Sequence, residues 1–319
     1  MRIIRNSFIV IIIVVAILFF GINIFLAAFG TSMICERLSK QLQKDISINS
    51  IVFLPPYSVL IKNLEIEGLL RIKSMKIQPS ISAFIFSSGG LNALTLQGVR
   101  LNLVREKEDE FTINSVVISF QEMLSKNKKD DRNIFFIKEA LVSDGEIFFI
   151  DKIAGPSFFV RPFSCSVRTS IRDFKTRTSL TAPFITQGAR PLGELVLNGW
   201  LNFLAKDMDA TASLSIQDLA FFSAYFKEGY GKQLSSGTMN LQASLNAKKN
   251  DLLINCHLEA ENIVFAKKTS AKAEHADEAI NGLVTIMTSL FGGGGTFDFS
   301  IHTKFDFPVD KHYRNLRWI

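Results

Sequence analysis

The stretch Gly237–Ala247, GTMNLQASLNA, alternates apolar and polar side chains with a period of two. Because successive side chains of a β-strand point to opposite faces, this alternation predicts a strand with one apolar and one polar face. The same alternation returns over residues 208–216, 252–260 and 297–307. Parallel strands, which are covered on both faces, read instead as continuous apolar runs. The sequence therefore predicts a mostly β protein with an antiparallel sheet of about fourteen strands.

Glycine and asparagine signals lie between the predicted strands at Gly89-Gly90, Asp144-Gly145, Lys249-Asn250-Asp251 and residues 231–237. Such signals are typical of turns. Three segments also share the order apolar strand, glycine, apolar strand: LEIEGLLRI (64–72), LTLQGVRLNL (94–103) and LVSDGEIFF (141–149). This order indicates either a weak internal repeat or the hairpin pattern that is common in β proteins.

Two short amphipathic helices are predicted between the strands. The first begins at Asp218, a residue type suited to an N-cap, and carries Leu219, Phe222 and Phe226 on one face. The second covers residues 277–290 and has apolar side chains at helical spacing. We expect this second helix to cap one open end of the sheet. Its apolar face consists of Ile280, Leu283, Val284, Met287 and Leu290.

The amino-terminal region carries no charge between Arg5 and Glu36. The core of this run, residues 8–29, would form a helix of about 33 Å, which matches the hydrocarbon thickness of a bilayer. A signal peptide has a shorter apolar region of about 7–15 residues, so a retained single-pass anchor is predicted. Cleavage after the small residues of Leu26-Ala27-Ala28 is the alternative. The basic tail before the run places the amino terminus in the cytoplasm.

The predicted organisation follows from the anchor and one charged stretch. A Lys-rich segment is typical of a solvated linker and is the predicted domain boundary. The segments are a cytoplasmic tail (1–6), a transmembrane anchor (7–30), a juxtamembrane linker (31–45), an N-terminal β module (46–120), a charged linker (121–133) and a C-terminal β domain (134–319).

The composition argues against catalysis and metal binding. Three cysteines and four scattered histidines lack the spacing of a zinc site. The sequence does not decide whether Cys165 and Cys256 form a disulfide. The glycine run of FGGGGTFDF (291–299) has no Gly-Lys-Ser/Thr and precedes a strand, which excludes a phosphate cradle. The net charge of +6 comes from scattered Lys and Arg, as on a solvated strand face. We expect no enzyme, no cofactor, no metal and no nucleic-acid partner.

Several segments resemble the AsmA-like proteins of Gram-negative bacteria, the superfamily that includes TamB and YhdP. They are the anchor at 8–29, LTLQGVRLNLVREKEDEFTIN (94–114), IKEALVSDGEIFFIDKIAGPSFFV (137–160) with Asp144, Gly145 and Asp151, and the segment 218–265 with its short helix and long hairpin. Asp109-Glu110-Phe111 departs from the family's usual Asp-Gly, and the chain is shorter than members thought to bridge two membranes. The resemblance implies a twisted, curled antiparallel β-sheet that forms a groove, held at the bacterial inner membrane and projecting into the periplasm. It also implies phospholipid transport and maintenance of the outer membrane.

The predicted lipid-binding residues lie on the apolar face of the last strands. They are Met239, Leu241, Leu245, Leu252, Ile254, Leu258, Phe297, Phe299, Ile301 and Phe305. The expected partners are the inner membrane, phospholipid, and periplasmic or outer-membrane proteins or further copies of the chain. The competing hypothesis is a non-enzymatic structural or assembly component of an envelope or secretion complex, whose apolar faces seal against each other in a β-sandwich.

Overall fold

The structure is a computed structural model that describes residues 17, 19–80, 90–107, 110–113, 136–153, 155–170, 175–202, 205–224, 234–265 and 294–304. Of these residues, 72% lie in β-strands, which confirms the mostly β prediction. One helix, α1 (Phe19–Leu42), is long and apolar enough to cross a membrane by length and composition. It begins in the predicted anchor and continues through the predicted juxtamembrane linker, with a π-helical turn at Leu26–Gly30.

Thirteen strands are described, and they form a single sheet. Twelve of them follow the chain order, β1-β2-β3-β4-β6 and onward to β13, while β5 pairs with β4. Every pair with a defined register is antiparallel. The strands are β1 (Ile46–Leu54), β2 (Ser58–Ile66), β3 (Leu70–Pro79), β4 (Gly90–Lys107), β5 (Glu110–Phe111), β6 (Phe136–Asp151), β7 (Ser157–Thr169), β8 (Lys175–Thr186), β9 (Pro191–Asn202), β10 (Asp207–Ile216), β11 (Leu234–Lys248), β12 (Asp251–Phe265) and β13 (Gly294–Lys304).

The chain divides into two compact units. The N-terminal unit comprises residues 1–101 and 113–141, and the C-terminal unit comprises residues 102–112 and 142–319. The charged linker predicted at 121–133 lies outside the described residues, so the predicted boundary stays a prediction. In the N-terminal unit, Ile46, Ile66 and Leu69 form a buried cluster. The end of α1 packs on this cluster, which ties the helix to the first hairpin.

The strand–glycine–strand segments do not all form turns. Gly68, with φ of +69°, lies in the turn between β2 and β3, as the hairpin pattern predicts. Gly98 and Asp144 also have positive φ, but β4 and β6 continue through them. The turn predicted at Asp144-Gly145 is therefore wrong. The pairing of β3 with β4 keeps its register across Gly98, with Ile72 opposite Val99 and Ser74 opposite Gln97, so the positive φ there does not interrupt the strand.

Of the two turn signals near the carboxyl end, one forms a turn and the other contains a strand residue. Lys249 and Asn250 have positive φ and connect β11 to β12 with Lys248 paired to Asp251, so the predicted turn is confirmed. Gly237, in contrast, lies inside β11 where the pairing register shifts.

The segment after β10 lies where the first of the two predicted helices was expected to begin. The Asp218 carboxylate accepts a hydrogen bond from the Phe221 N–H at 3.4 Å, which confirms the N-cap. A 3₁₀ turn covers Leu219–Phe222, Ser223 and Ala224 are α-helical, and the next residues lie outside the described ranges. The first residue of the 3₁₀ turn, Leu219, is buried against Leu234 and neighbouring β12 side chains. Phe226 and the second predicted helix, with Ile280, Leu283, Val284, Met287 and Leu290, lie outside the described residues.

Candidate functional site on the C-terminal sheet

The two faces of strands β7–β13 differ sharply in chemistry. Directly paired residues of antiparallel strands project from the same face, so the strand register defines rows of side chains across the sheet. One apolar row contains Ala182, Leu195, Leu214, Leu241, Leu258 and Phe297. The adjacent row contains Cys165, Leu180, Leu197, Ala212, Ala243, Cys256 and Phe299. We call the face that carries these rows the apolar face.

The structure places nine of the ten predicted lipid-binding residues on the apolar face. Leu245, Ile254 and Ile301 are paired in a further row, and Leu252 pairs with Ala247 in the next one. Met239 also lies on this face, but it packs against the cluster around Leu219. Phe305, the tenth, lies outside the described residues. Whether lipid binds these side chains stays a prediction.

The predicted lipid-binding residues omit the part of this face that comes from β8, β9 and β10, although the alternation over residues 208–216, which lie in β10, was predicted. Leu180, Leu195, Leu197 and Leu214 continue the rows of β11–β13 without interruption. In β9 the signal was weaker than in β11, because the apolar side chains of Val196 and Trp200 occupy the alternate positions. The apolar face therefore extends beyond the last hairpin.

Small side chains form the middle of the apolar face. Gly199 pairs with Ala210, and Ala212 pairs with Ala243, between rows of leucine and isoleucine. A Cβ atom added at Gly199 would collide with Ala210, so this position excludes larger residues. These small residues lie next to one another across β9, β10 and β11.

One end of the apolar face is covered by aromatic side chains. Phe158 of β7 contacts Phe184 of β8 at a ring-centroid distance of 6.0 Å and Phe222 of the 3₁₀ turn at 5.8 Å. Leu219, 2% exposed, packs there against Ala260. The 3₁₀ turn thus covers the strand ends of β10–β12. The cap that we predicted from the second helix lies outside the described residues.

Cys165 and Cys256 lie in the same row but do not form a disulfide. Both thiols are free, and β7 and β12 are separated by five strand spacings. At about 4.8 Å per spacing, the two strands lie roughly 24 Å apart along the sheet, far beyond the reach of a disulfide. Burial raises the pKa of both thiols. Both residues therefore act as small apolar side chains of this face.

The opposite face, which we call the polar face, carries a cavity of about 690 Å³ across β9–β13. Its walls are two rows of polar side chains, and they bond to one another across the strands. Ser179 Oγ donates to Asn198 Oδ1 at 2.7 Å, and Ser300 Oγ donates to Asn255 Oδ1 at 2.7 Å. Exposed hydroxyl and amide groups that already have partners are typical of a solvated sheet surface.

His257 is the most perturbed titratable group of the polar face. Its Nδ1 lies 2.7 Å from Asp298 Oδ1, and its Nε2 lies 3.3 Å from Glu259 Oε1. The hydrogen bond to Asp298, followed by that to Glu259, raises the pKa of His257 above its usual value. His302 makes a similar contact of 2.7 Å with Asp251. The contacts of His257 with Asp298 and of His302 with Asp251 join β12 to β13.

Asp151 is the most deeply buried charged residue that the structure describes. Its fully buried carboxylate lies 3.1 Å from Arg105 Nη1 and accepts a hydrogen bond from the Ile153 N–H at 2.9 Å. This pair holds the β6–β7 turn against the end of β4, which is a structural role. Asp144, the other acid considered from the sequence, is exposed. Within the described ranges, no three His, Cys, Asp or Glu side chains lie close enough to hold a metal ion.

The resemblance to AsmA-like proteins rests on sequence motifs. The segment 137–160 lies in β6, β7 and the turn between them, and residues 218–265 include the 3₁₀ turn, β11 and β12. No protein-family model, no curated protein and no solved structure matches this chain. The resemblance therefore stays a prediction.

Proposed function

We propose that this chain is a membrane-anchored, non-enzymatic protein that binds or conducts phospholipid along the apolar face of its β-sheet. In this proposal α1 belongs to an anchor in a bacterial inner membrane, and the strands lie in the periplasm. The protein contributes to lipid transport between membranes and to maintenance of the outer membrane.

The anchor is supported by the surface of α1. Phe20, Ile24, Phe25 and Phe29 are each more than half exposed. A contiguous apolar surface of this kind is unfavourable in water and favourable in a bilayer. Charged side chains begin only at Glu36.

The observation that carries the lipid proposal is the continuity of the apolar face over seven strands. The row from Cys165 on β7 to Phe299 on β13 crosses six strand spacings, or about 29 Å. All described strands belong to one sheet, so they provide no second sheet that could close a β-sandwich over this face. The alternative function, a structural component with sealed apolar faces, requires a cover from outside the described residues.

The energetics also favour a continuous face over a single pocket. At about 0.8 kcal/mol for each buried CH₂ group, a sixteen-carbon acyl chain leaves water with a gain on the order of 12 kcal/mol. A carrier must keep most of this free-energy gain, so it must shield the acyl chain from water along the whole path. In this proposal the apolar face provides such a path across Gly199, Ala212 and Ala243. A row of about 29 Å is short, so reaching another membrane requires partner proteins or further copies of the chain.

The polar-face cavity supports a ligand site less well. Most of the hydroxyl and amide side chains in its walls are exposed, and Asn198, Asn255 and His257 each contact a side chain of a neighbouring strand. A polar ligand would have to replace these bonds without burying apolar surface. Its gain in free energy would be small.

The test is photo-crosslinking of the full-length chain in bacterial cells, with a photoreactive amino acid at one position at a time. Positions 241 and 254 lie on the apolar face, and the adjacent positions 242 and 255 lie on the polar face of the same two strands. We expect phospholipid adducts at 241 and 254 only. Adducts at neither pair, or equally at both, would contradict the proposal.

A charge substitution separates the two hypotheses. Leu241 is half-buried, so in an open face Leu241→Asp should lower lipid labelling at position 254 and cost less than about 1 kcal/mol of stability. In a sealed sandwich the same change buries an unpaired carboxylate and should cost several kcal/mol. Loss of folding, together with no adduct at 241 or 254, would leave the structural hypothesis.

A further inference from the structure

The side chain of Asn23 bonds the apolar helix to the first strand of the sheet. Asn23 is the one polar residue between Phe8 and Phe29. Its Nδ2 donates to the Phe53 carbonyl oxygen at 3.2 Å, and its Oδ1 accepts from the Phe53 N–H at 2.8 Å. Asn23 thus satisfies both backbone groups that Phe53 would otherwise offer to a neighbouring strand.

A second contact shows that α1 and β1 run side by side. The Ile46 N–H donates to Ser39 Oγ at 3.0 Å. From Asn23 to Ser39 the helix rises about 24 Å, and from Ile46 to Phe53 the strand advances about 23 Å. These lengths agree, so Phe53 lies level with Asn23, within the apolar part of the helix.

The hairpin tip beside Asn23 is as apolar as the helix. Residues 46–61 carry no charge, and the tip, Phe53–Tyr57, reads FLPPY. The first charge on β2 is Lys62, which pairs with Ser50. Ser50 lies about 13 Å from Ile46 along β1, which is level with about residue 30 of the helix. Lys62 is therefore level with residue 30, where the predicted anchor ends, and lies about 9 Å along the helix from Glu36, the first charged residue of α1.

We propose that the tip of the β1–β2 hairpin, Phe53–Tyr57, inserts into the lipid bilayer beside α1. The inference rests on the membrane anchor of the proposed function and deepens it, because the first strand of the sheet would then start among lipid chains. The exposed edge of a sheet is not tolerated in hydrocarbon, where an unpaired backbone group costs several kcal/mol. Asn23 removes this cost at Phe53, and Pro55 and Pro56 have no N–H to satisfy.

The test uses tryptophan fluorescence of the full chain in phospholipid vesicles whose acyl chains carry bromine, which quenches tryptophan on contact. Trp200 and Trp318 are first replaced by Phe. One tryptophan is then introduced at a time: Tyr57→Trp reports on the tip, Glu67→Trp on the opposite end of β2, and Ile24→Trp on the anchor. Leu54→Trp serves as a second tip reporter if Tyr57→Trp fails to fold.

We expect quenching at positions 24 and 57 to agree within about twofold, and quenching at position 67 to be absent, since a bilayer contact is short-ranged. Quenching at 24 with none at 57 or 54 would overturn the inserted tip while leaving the anchor in place. Absence of quenching at 24, 54 and 57 would overturn the tip and the anchor together.

The role of Asn23 has its own test. Asn23→Leu keeps the helix apolar but removes both bonds to Phe53. We expect amide hydrogen exchange at Phe53 to accelerate by at least about tenfold, as expected for an opened edge, and quenching at position 57 to fall. Ile24→Leu, one residue away and exposed, is the matched control and should change neither. Unchanged exchange in Asn23→Leu would overturn the assignment.

Discussion

The two faces of the C-terminal sheet are built from alternate residues of the same strands, yet their side chains are stabilised in different ways. On the polar face, Ser179, Asn198, Asn255 and Ser300 find their partners on the next strand. On the apolar face, side chains such as Leu241 and Ile254 are stabilised only when something covers them and removes them from water. Because the described strands form a single layer, the covering molecule is lipid, a partner protein or another part of the chain. This difference is the reason why we propose the apolar face, and not the polar face, as the functional one.

The largest expected effect is a difference in the free energy of unfolding between a substitution on the apolar face and one on the polar face. Leu258 is 5% exposed, so Leu258→Asp should lower the free energy of unfolding by more than about 3 kcal/mol, because it buries an unpaired carboxylate. The matched control on the same strand is Asn255→Asp, which keeps the acceptor for Ser300 and should change stability by less than about 0.5 kcal/mol. Urea denaturation measures both. Similar values for the two variants would remove the distinction between the faces.

Thiol labelling gives the next largest effect. Cys256 is buried on the apolar face, and burial raises the pKa of its thiol, which lowers the thiolate fraction near neutral pH. We expect a water-soluble maleimide to react with Cys256 at least about tenfold more slowly than with a cysteine introduced by Ser244→Cys on the polar face. The rates are measured in chains that keep only the cysteine of interest. Equal rates would mean that Cys256 is open to water.

Enlarging a small side chain tests how open the apolar face is. Ala243→Phe should cost less than about 1 kcal/mol if this part of the face is uncovered, whereas overpacking of a covered core costs about 1–3 kcal/mol. The same variant should reduce lipid adducts at position 241. Ser244→Phe adds the same ring to the polar face and should leave those adducts unchanged. A reduction in both variants would point to general misfolding.

The smallest effect is a pH dependence on the polar face. The pKa of His257 is raised in the folded state, first by Asp298 and then by Glu259. A raised pKa contributes stability that is fully present below the unfolded pKa of about 6.5 and is lost as pH rises through the folded pKa. Relative to His257→Gln, the wild-type chain should therefore be slightly more stable near pH 5.5 than near pH 8.5. A difference that grows toward alkaline pH would contradict this pairing.

The alternation of apolar and polar residues could be read correctly from the sequence because it is local. Each of Met239, Leu241 and Leu245 has its face fixed by its neighbours in the chain, and the turn at Lys249 switches the parity for Leu252 and Ile254. The glycine signals were less reliable. Gly68 and Gly98 follow similar sequences, but only the first ends a strand, since the outcome depends on pairing with strands on both sides.

What the sequence alone determined is the class of the protein: an apolar amino-terminal helix followed by strands with one apolar face. The tertiary structure decided the rest. It joins Asn23 to Phe53, thirty residues away, and it brings the rows of β8–β10 alongside the last hairpin. It also packs Leu219 of the 3₁₀ turn against Ala260. Side-chain alternation depends only on the geometry of one strand, whereas these contacts depend on which distant segment satisfies the exposed backbone and apolar surface of another.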